Sequence, residues 1–347
     1  MYGMNIEEID LSDKKQVDEI KDFLAKFDLK LDDNVDYTIA IRLDGNIKAT
    51  CSKAKNVFKC FAVSPELQGE GISNKLITAL NNKLFEEGTY HNFIFTKPKN
   101  KQIFTSMNYK DIYEVENVCL LENGVYDINK YLDKIADKYN IDNTTEKSAL
   151  VMNCNPFTLG HRYLIECAAR KSKEVLVFIV EEDKSLFPFK YRYELVKKGV
   201  SDLENVKVIP GGEYIISSAT FPSYFLRKED EVLKAYTNID AGIFAKYFCS
   251  RFNITDRFVG EEPYCNVTRA YNNALNETLN KYGVKLHIIN RKENAGIKIS
   301  ASMVRELIKE DQYDKMKELI PSVTWEFLNS NEGREIMEKI KVSNSPH

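Results

Sequence analysis

The sequence predicts an α/β protein of two parts, the second built on a doubly wound parallel sheet. Three observations carry this. The chain has 347 residues, more than one ordinary small domain holds. From Ala149 onward, short apolar runs alternate with helical stretches, as parallel strands joined by crossover helices do. Earlier, two strand-like runs meet at Asp44-Gly45, a turn suited to an antiparallel hairpin.

The elements follow in order. Lys14 to Lys26 has helical spacing, with Val17, Ile20, Phe23, Leu24 and Phe27 on one side. Tyr37 to Arg42 and Ile47 to Cys51 form the hairpin, and Val57 to Val63 a further strand. Ser64-Pro65 then leads through the glycine-rich Gln68-Gly69-Glu70-Gly71-Ile72 into a helix with Leu76, Ile77, Leu80 and Leu84. Asn92 to Thr96 is a strand, Gln102 to Met107 a short helix, and Tyr126 to Tyr139 an amphipathic helix. These boundaries divide the chain into residues 1–122, a helical linker 123–147, and residues 148–347. In the last part the strands are Ala149 to Met152, Val175 to Val180, Val206 to Ile209, Arg257 to Val259 and Leu286 to Ile289. Helices are expected at His161 to Lys171, Tyr191 to Leu203, Ile239 to Phe252 and Thr268 to Lys281, with another after Asn329.

Composition excludes several classes. Apolar residues make up 43% and charged residues 29%, the balance of a soluble globular protein with an adequate core. A net charge of −3 gives no general attraction to nucleic acid or anionic membrane, so any anion site must be local. Met1 to Asp10 lacks a signal-peptide pattern, and no window approaches the roughly 20 apolar residues that span a bilayer. Seven scattered cysteines without a C-x-x-C pair argue against a disulfide framework or a zinc site, and for reduced thiols in a cytoplasm. Only four histidines exist, which makes His161 one of few candidates for imidazole chemistry.

The first strand of the second part ends at Asn153, and Asn155-Pro156-Phe157-Thr158-Leu159-Gly160-His161 leads into a helix. Ligands bind at the carboxyl ends of parallel strands, and the free N–H groups of a helix start favour an anion. Gly160 permits close approach, and Thr158 and His161 are hydrogen-bond donors for phosphate oxygens. Alone, this string reads equally as a capped helix with a structural histidine. A second string, Ile299-Ser300-Ala301-Ser302-Met303-Val304-Arg305, sets hydroxyls and a guanidinium at another helix start. That arrangement suits a departing polyphosphate. Glu261 and Glu262 follow the strand Arg257 to Gly260 at its carboxyl end, a place for nucleotide recognition or a magnesium-bound water. Lys190 and Arg192 lie on a charged helix start, read as solvated or as substrate contacts. Ser217, Ser218 and Thr220 form a hydroxyl-rich loop that is either a substrate contact or a helix cap. Cys154 has no neighbour that would lower its pKa and is read as a packing residue.

The two strings together resemble those of the nucleotidylyltransferase superfamily, a Rossmann-like fold. The resemblance implies that Thr158 and His161 meet the α- and β-phosphates of ATP, and that Ser300, Ser302 and Arg305 grip the β- and γ-phosphates. Thr158 stands where many members have His, and Ala301 where the commonest form has Ser. Within the superfamily the chain is similar to the citrate lyase ligase family. The stretches are Met152 to His161, Phe178 to Asp183, Phe187-Pro188-Phe189 with Arg192, and Gly211-Gly212. Ser217 to Leu226, Val259 to Pro263, Val267-Thr268 and Tyr271-Asn272 continue the match. This implies an ATP site that also takes in Asn153, Asn155, Pro156, Phe157, Gly160, Gly260, Glu261 and Ile299. It implies activation of acetate to acetyl-AMP, with magnesium accompanying ATP. Acetyl then passes to the phosphopantetheine-type thiol of the citrate lyase acyl carrier subunit.

Val63 to Ile72 resembles the pyrophosphate loop of the GNAT acetyltransferases, with Gln68, Gly69 and Gly71 supplying its backbone N–H groups. Asn108-Tyr109 stands in place of that family's common Gly-Phe, and Glu66 occupies the leading position, where its carboxylate opposes a bound pyrophosphate. A GNAT-like first domain that holds the CoA-like arm is the expectation. Two other functions fit the same motifs: a cofactor-biosynthetic adenylyltransferase, and a GNAT acetyltransferase with a nucleotide-sensing module.

Overall fold

The computed structural model describes residues 5–181, 185–216, 221, 229–261, 266–294 and 297–343. It divides into two units, Met1–Tyr131 with Phe221–Ile239, and Leu132–Thr220 with Asp240–His347. Segment 221–239 therefore groups with the first unit, a non-contiguous arrangement that chain order alone does not reveal.

The first unit carries a seven-stranded sheet of β1 (Ile6–Glu8), β2 (Tyr37–Leu43), β3 (Asn46–Ala54), β4 (Val57–Val63), β5 (His91–Thr96), β6 (Lys110–Glu114) and β7 (Cys119–Gly124). Their order is β1-β2-β3-β4-β5-β7-β6. The β2–β3 hairpin turns on Asp44 and Gly45, both in the left-handed region at φ 51° and 76°. Only β4 and β5 run parallel, and they are in register at just two positions, Val57 with Phe93 and Phe58 with Ile94. Helices α1 (Lys14–Ala25), α2 (Ile72–Glu86) and α3 (Lys101–Thr105) complete the unit. Leu76, Ile77, Leu80 and Leu84 of α2 enter one core with Ile39, Phe58, Ile94 and Leu121. Strands β1, β6 and β7 were not anticipated. Each is short, and their pairing comes from the neighbouring strand rather than from a local pattern.

After α4 (Ile128–Tyr139), the second unit begins its sheet with β8 (Lys147–Met152), followed by β9 (Val175–Ile179), β10 (Val206–Pro210), β11 (Ile254–Gly260) and β12 (Lys285–Ile289). All neighbours are parallel, in the order β10-β9-β8-β11-β12. The doubly wound expectation holds. Chain order runs outward from β8 to β10, then returns to β11 on the other side of β8. The carboxyl ends of β8 and β11 thus flank the switch point, where a crevice must open. Buried Leu150, Val175, Val177 and Phe258 pack with Ile165 of α5 (Leu159–Lys171) and Leu195 of α6 (Phe189–Gly199).

Between β10 and β11 come α7 (Glu229–Ile243), a π-helical segment Phe244–Cys249 and α8 (Ser250–Phe252). The helix starts ten residues ahead of the expected Ile239, because its first turns are too polar to show an apolar face. Helix α9 (Asn266–Lys281) joins β11 to β12. A two-stranded ribbon of β13 (Glu293–Asn294) and β14 (Ile297–Lys298) precedes α10 (Ala301–Lys309), α11 (Tyr313–Lys317), α12 (Ser322–Leu328) and α13 (Asn331–Val342). These four helices share an apolar cluster that includes Phe187, Ile299, Val304, Ile308, Met316, Leu319 and Ile336. Among the described residues no helix is long and apolar enough to cross a membrane.

Candidate functional site

The site is built from the turn after β8. Thr158 is extended, with φ −122° and ψ 166°, and caps α5. Its hydroxyl accepts the His161 backbone N–H at 3.3 Å, and its own N–H donates to His161 Nδ1 at 3.1 Å. A peptide N–H can only donate, so Nδ1 presents a lone pair and the neutral ring carries its proton on Nε2. Burial, with the nearby Arg291 charge, draws the His161 pKa down to about 4. At neutral pH His161 is therefore an uncharged ring with one N–H to offer.

The second string sits directly beside the first. Ser300 is extended and caps α10, its hydroxyl accepting from Met303 N at 3.1 Å and lying 3.0 Å from the Ser302 hydroxyl. Arg305, 8% exposed, donates through Nη1 to the Asn155 carbonyl at 2.5 Å, although the two residues are 150 apart in sequence. Its burial lowers the guanidinium pKa. A Cβ on Gly160 would lie 3.0 Å from the Ile299 carbonyl oxygen, so glycine is what lets the start of α5 approach the strand leading into α10. Thr158, Gly160, His161, Ser300, Ser302 and Arg305 all line one cavity of about 570 Å³ at the switch point.

Asn153, Asn155, Gly260 and Ile299 line the same cavity, whereas Pro156 and Phe157 do not. Phe157 is wholly buried, and a Cβ on Gly199 would meet its ring at 2.4 Å. Asn153 bonds the Ser185 hydroxyl at 3.0 Å, and Asn155 Oδ1 accepts Phe187 N at 3.0 Å, so both also hold the loop before α6. Glu261 does not line the cavity either; its N–H donates to the Ile289 carbonyl, and its carbonyl accepts from Arg291 Nε at 3.0 Å. Ser217, Ser218, Thr220 and Glu262 lie outside the described residues.

Arg192 overturns its reading as a solvated helix-start residue. It has no exposed surface. Nε donates to the Phe187 carbonyl at 2.8 Å, and Nη1 to the carbonyls of Asn153 and Val180 at 2.8 and 2.7 Å. It fastens the loop after β8, the end of β9 and the start of α6 to one another. Cys154 is 1% exposed and burial raises its thiol to about 12, in keeping with a packing role. The other described cysteines are also free thiols, buried except for Cys167, and Cys265 lies outside the described residues.

Sequence reasoning passed over Tyr163, Asn290, Arg291 and Lys292, all of which line the cavity, and did not assign Asn272 to it. Arg291-Lys292 is a basic pair just past the carboxyl end of β12, a position that the strand-end rule marks for ligands. Among the described residues no cluster of three His, Cys, Asp or Glu forms a metal site.

The first unit has its own cavity of about 670 Å³, where β4 and β5 part. Gln68 and Gly69 line it, with Lys97, Lys99, Phe104 and Ser106. Gly69 and Gly71 are both left-handed, at φ 87° and 72°, and Gly71 caps α2 without lining the cavity. Glu66, whose charge was expected to oppose an anion, is paired with Lys48 at 2.5 Å, which lowers its pKa.

The family described as citrate lyase ligase C-terminal domain matches residues 147–328. The chain is 35% identical to citrate (pro-3S)-lyase ligase of Escherichia coli (strain K12), over 95% of each chain. It is 35% identical to the enzyme of the same name from Klebsiella pneumoniae, over 92% of this chain and 94% of that one. Among solved structures, a putative acyl-CoA N-acyltransferase from Klebsiella pneumoniae covers 35% of this chain and 98% of its own, with TM-score 0.29 and 16% identity.

Arg192→Met leaves three buried carbonyls without their donor and is expected to cost about 3–5 kcal/mol, read from urea unfolding. A raised KM at an unchanged urea midpoint would assign Arg192 to substrate contact instead. His161 is held neutral in the fold, so the unfolded chain takes up its proton first. The associated stability is intact above pH 6.5 and is lost as pH falls toward 4. Between those limits the unfolding free energy of wild type should drop by about 1–3 kcal/mol more than that of His161→Gln. Parallel pH profiles for the two proteins would contradict this assignment.

Proposed function

This chain belongs to the citrate lyase ligase family and is an acid–thiol ligase; from that premise we propose that it uses ATP to acetylate a thiol borne by the acyl carrier subunit of citrate lyase. The observation that carries this reading is the convergence of Thr158, His161, Ser300, Ser302 and Arg305 on one cavity at the β8–β11 switch point. Such a donor array suits a triphosphate, because phosphoryl-type transfer needs chiefly positioning and charge stabilisation.

Acetate is ionised at neutral pH, so the first step needs no general base. One carboxylate oxygen forms a bond to the α-phosphorus, and the bond from that phosphorus to its bridging oxygen breaks. The electron pair leaves with pyrophosphate. His161 Nε2–H and the N–H groups opening α5 meet the charge on the α-phosphate. The hydroxyls of Ser300 and Ser302, with Arg305, hold the pyrophosphate, and Arg291 and Lys292 add positive charge to the same cavity. A magnesium ion arriving with ATP would supply further charge neutralisation. In the second step a thiolate attacks the acyl carbon, the acyl carbon–oxygen bond breaks, and AMP leaves with that oxygen. The thiol in this proposal is the carrier's, and Cys154, which lines the cavity, is buried and held protonated. Residues 148–347 are the proposed ligase domain, and the free thiols suit a cytoplasmic setting.

The first unit supports a GNAT-like reading, with 1–122 as its sequence span and 123–147 as linker. The cavity where β4 and β5 part, lined by Gln68 and Gly69 of the loop before α2, is the cleft proposed for a phosphopantetheine-type arm. Gln68, Gly69 and Gly71 would receive its phosphate through backbone N–H groups.

Wild type should catalyse ATP–pyrophosphate exchange that depends on acetate, and His161→Ala and Arg305→Ala should each reduce it at least about a hundredfold while remaining folded. Exchange driven instead by a phosphorylated cofactor precursor would move the chain to the cofactor adenylyltransferases. Acetyl-CoA consumption without exchange would favour the acetyltransferase with a nucleotide-sensing module. For the arm cleft, valine at Gly69 and Gly71 should raise the KM for the carrier subunit and leave acetate-dependent exchange intact. An unchanged carrier KM removes the arm from this cleft.

A further inference from the structure

One hydrogen-bond chain in the second unit reaches His161 from the far end of the sequence. Thr324, the third residue of α12, has no exposed surface, and its hydroxyl donates to the Phe157 carbonyl at 3.0 Å. That carbonyl belongs to the peptide group joining Phe157 to Thr158. The N–H of the same peptide group donates to His161 Nδ1 at 3.1 Å. We infer that Thr324 is a positioning residue for His161: its hydroxyl, through one peptide group, holds the ring in the form that carries its proton on Nε2, facing the cavity.

The geometry has a chemical reason. A trans peptide presents its C=O and N–H on opposite sides, so a donor on the oxygen turns the N–H toward the opposite partner. A hydrogen bond to the carbonyl also polarises the amide and strengthens the bond its N–H makes. The next peptide is held from the same region, since Leu159 N donates to the Leu319 carbonyl at 2.9 Å. Thr158 is therefore pinned on both sides by residues about 160 positions later. Side-chain packing completes the setting, because the Phe157 ring fills the space over Gly199. Valine at 324 keeps the shape of threonine and removes only the donor, leaving the Phe157 carbonyl buried without it. Serine keeps the donor.

The inference rests on the proposed role of His161, so its test has one readout that needs no activity. The full chain is labelled with ¹⁵N-histidine, and with four histidines in the sequence the His161 signals are identified by their loss in His161→Gln. At pH 7.5, wild type and Thr324→Ser should show an unprotonated Nδ1 and a protonated Nε2, and Thr324→Val a mixture of the two tautomers. In acetate-dependent exchange, Thr324→Val should lower kcat about tenfold, the rate equivalent of one hydrogen bond, with the KM for ATP changed less than about twofold. Thr324→Ser should restore kcat. Unchanged imidazole shifts and kcat in folded Thr324→Val would overturn the relay, as would an equal defect in Thr324→Ser. If Thr324→Val does not fold, Thr324→Cys, whose thiol is a poor donor of similar size, takes its place with the same expected outcomes. Absence of exchange in wild type would refute the functional reading, while the tautomer comparison would still decide the relay.

Discussion

The contact between Arg305 and the Asn155 carbonyl joins the two ends of the second unit, and the rest of the site depends on it. The turn after β8 supplies a helix start and a histidine, but no cationic grip of its own. In the proposed site that grip arrives with Arg305 of α10, about 150 residues later. Gly160 allows the approach, since any Cβ there would press on the Ile299 carbonyl. The apolar cluster of α10–α13 supplies the burial that holds it. A buried guanidinium is costly unless its donors are used, and one of them is used on the loop it must stay beside. A charge held in this way is already oriented when an anion arrives, which is where electrostatic catalysis gains most.

The same economy governs His161. Its Nδ1 is occupied by the Thr158 N–H, and burial with Arg291 nearby disfavours a second proton. The ring is therefore neutral at physiological pH, and in the proposed reaction it would serve as a neutral donor rather than as an acid. That suits a reaction whose nucleophile is already ionised and whose leaving group is a polyphosphate, where no proton need move in the first step. Arg192 does comparable work beneath the surface, fastening three carbonyls so that the strand ends stay in place.

Much of this was legible in the sequence, for identifiable reasons. Asp44-Gly45 announces its hairpin because only a left-handed pair makes that turn. The run from Ala149 to Met152 and the cap at Thr158 are local signals, and so is Ser300 at the start of α10. What stayed hidden depends on distant partners. Strands β1, β6 and β7 exist through pairing, and Arg192 looks solvated until its carbonyls are seen. Thr324 is one threonine on a short helix, and nothing in its neighbourhood links it to Phe157. Arg291 and Lys292 could have been found, because they follow a strand in a parallel sheet.

In the proposed reaction a carboxylate oxygen of acetate attacks the α-phosphorus of ATP. The most direct measurement follows that oxygen: the enzyme is run with acetate labelled with ¹⁸O in both positions, unlabelled ATP and the carrier subunit, and the products are weighed by mass spectrometry. Each AMP should carry one ¹⁸O atom and pyrophosphate none, because the carbon–oxygen bond breaks when the thiol takes the acetyl group. AMP free of label, or label appearing in pyrophosphate or inorganic phosphate, would contradict it.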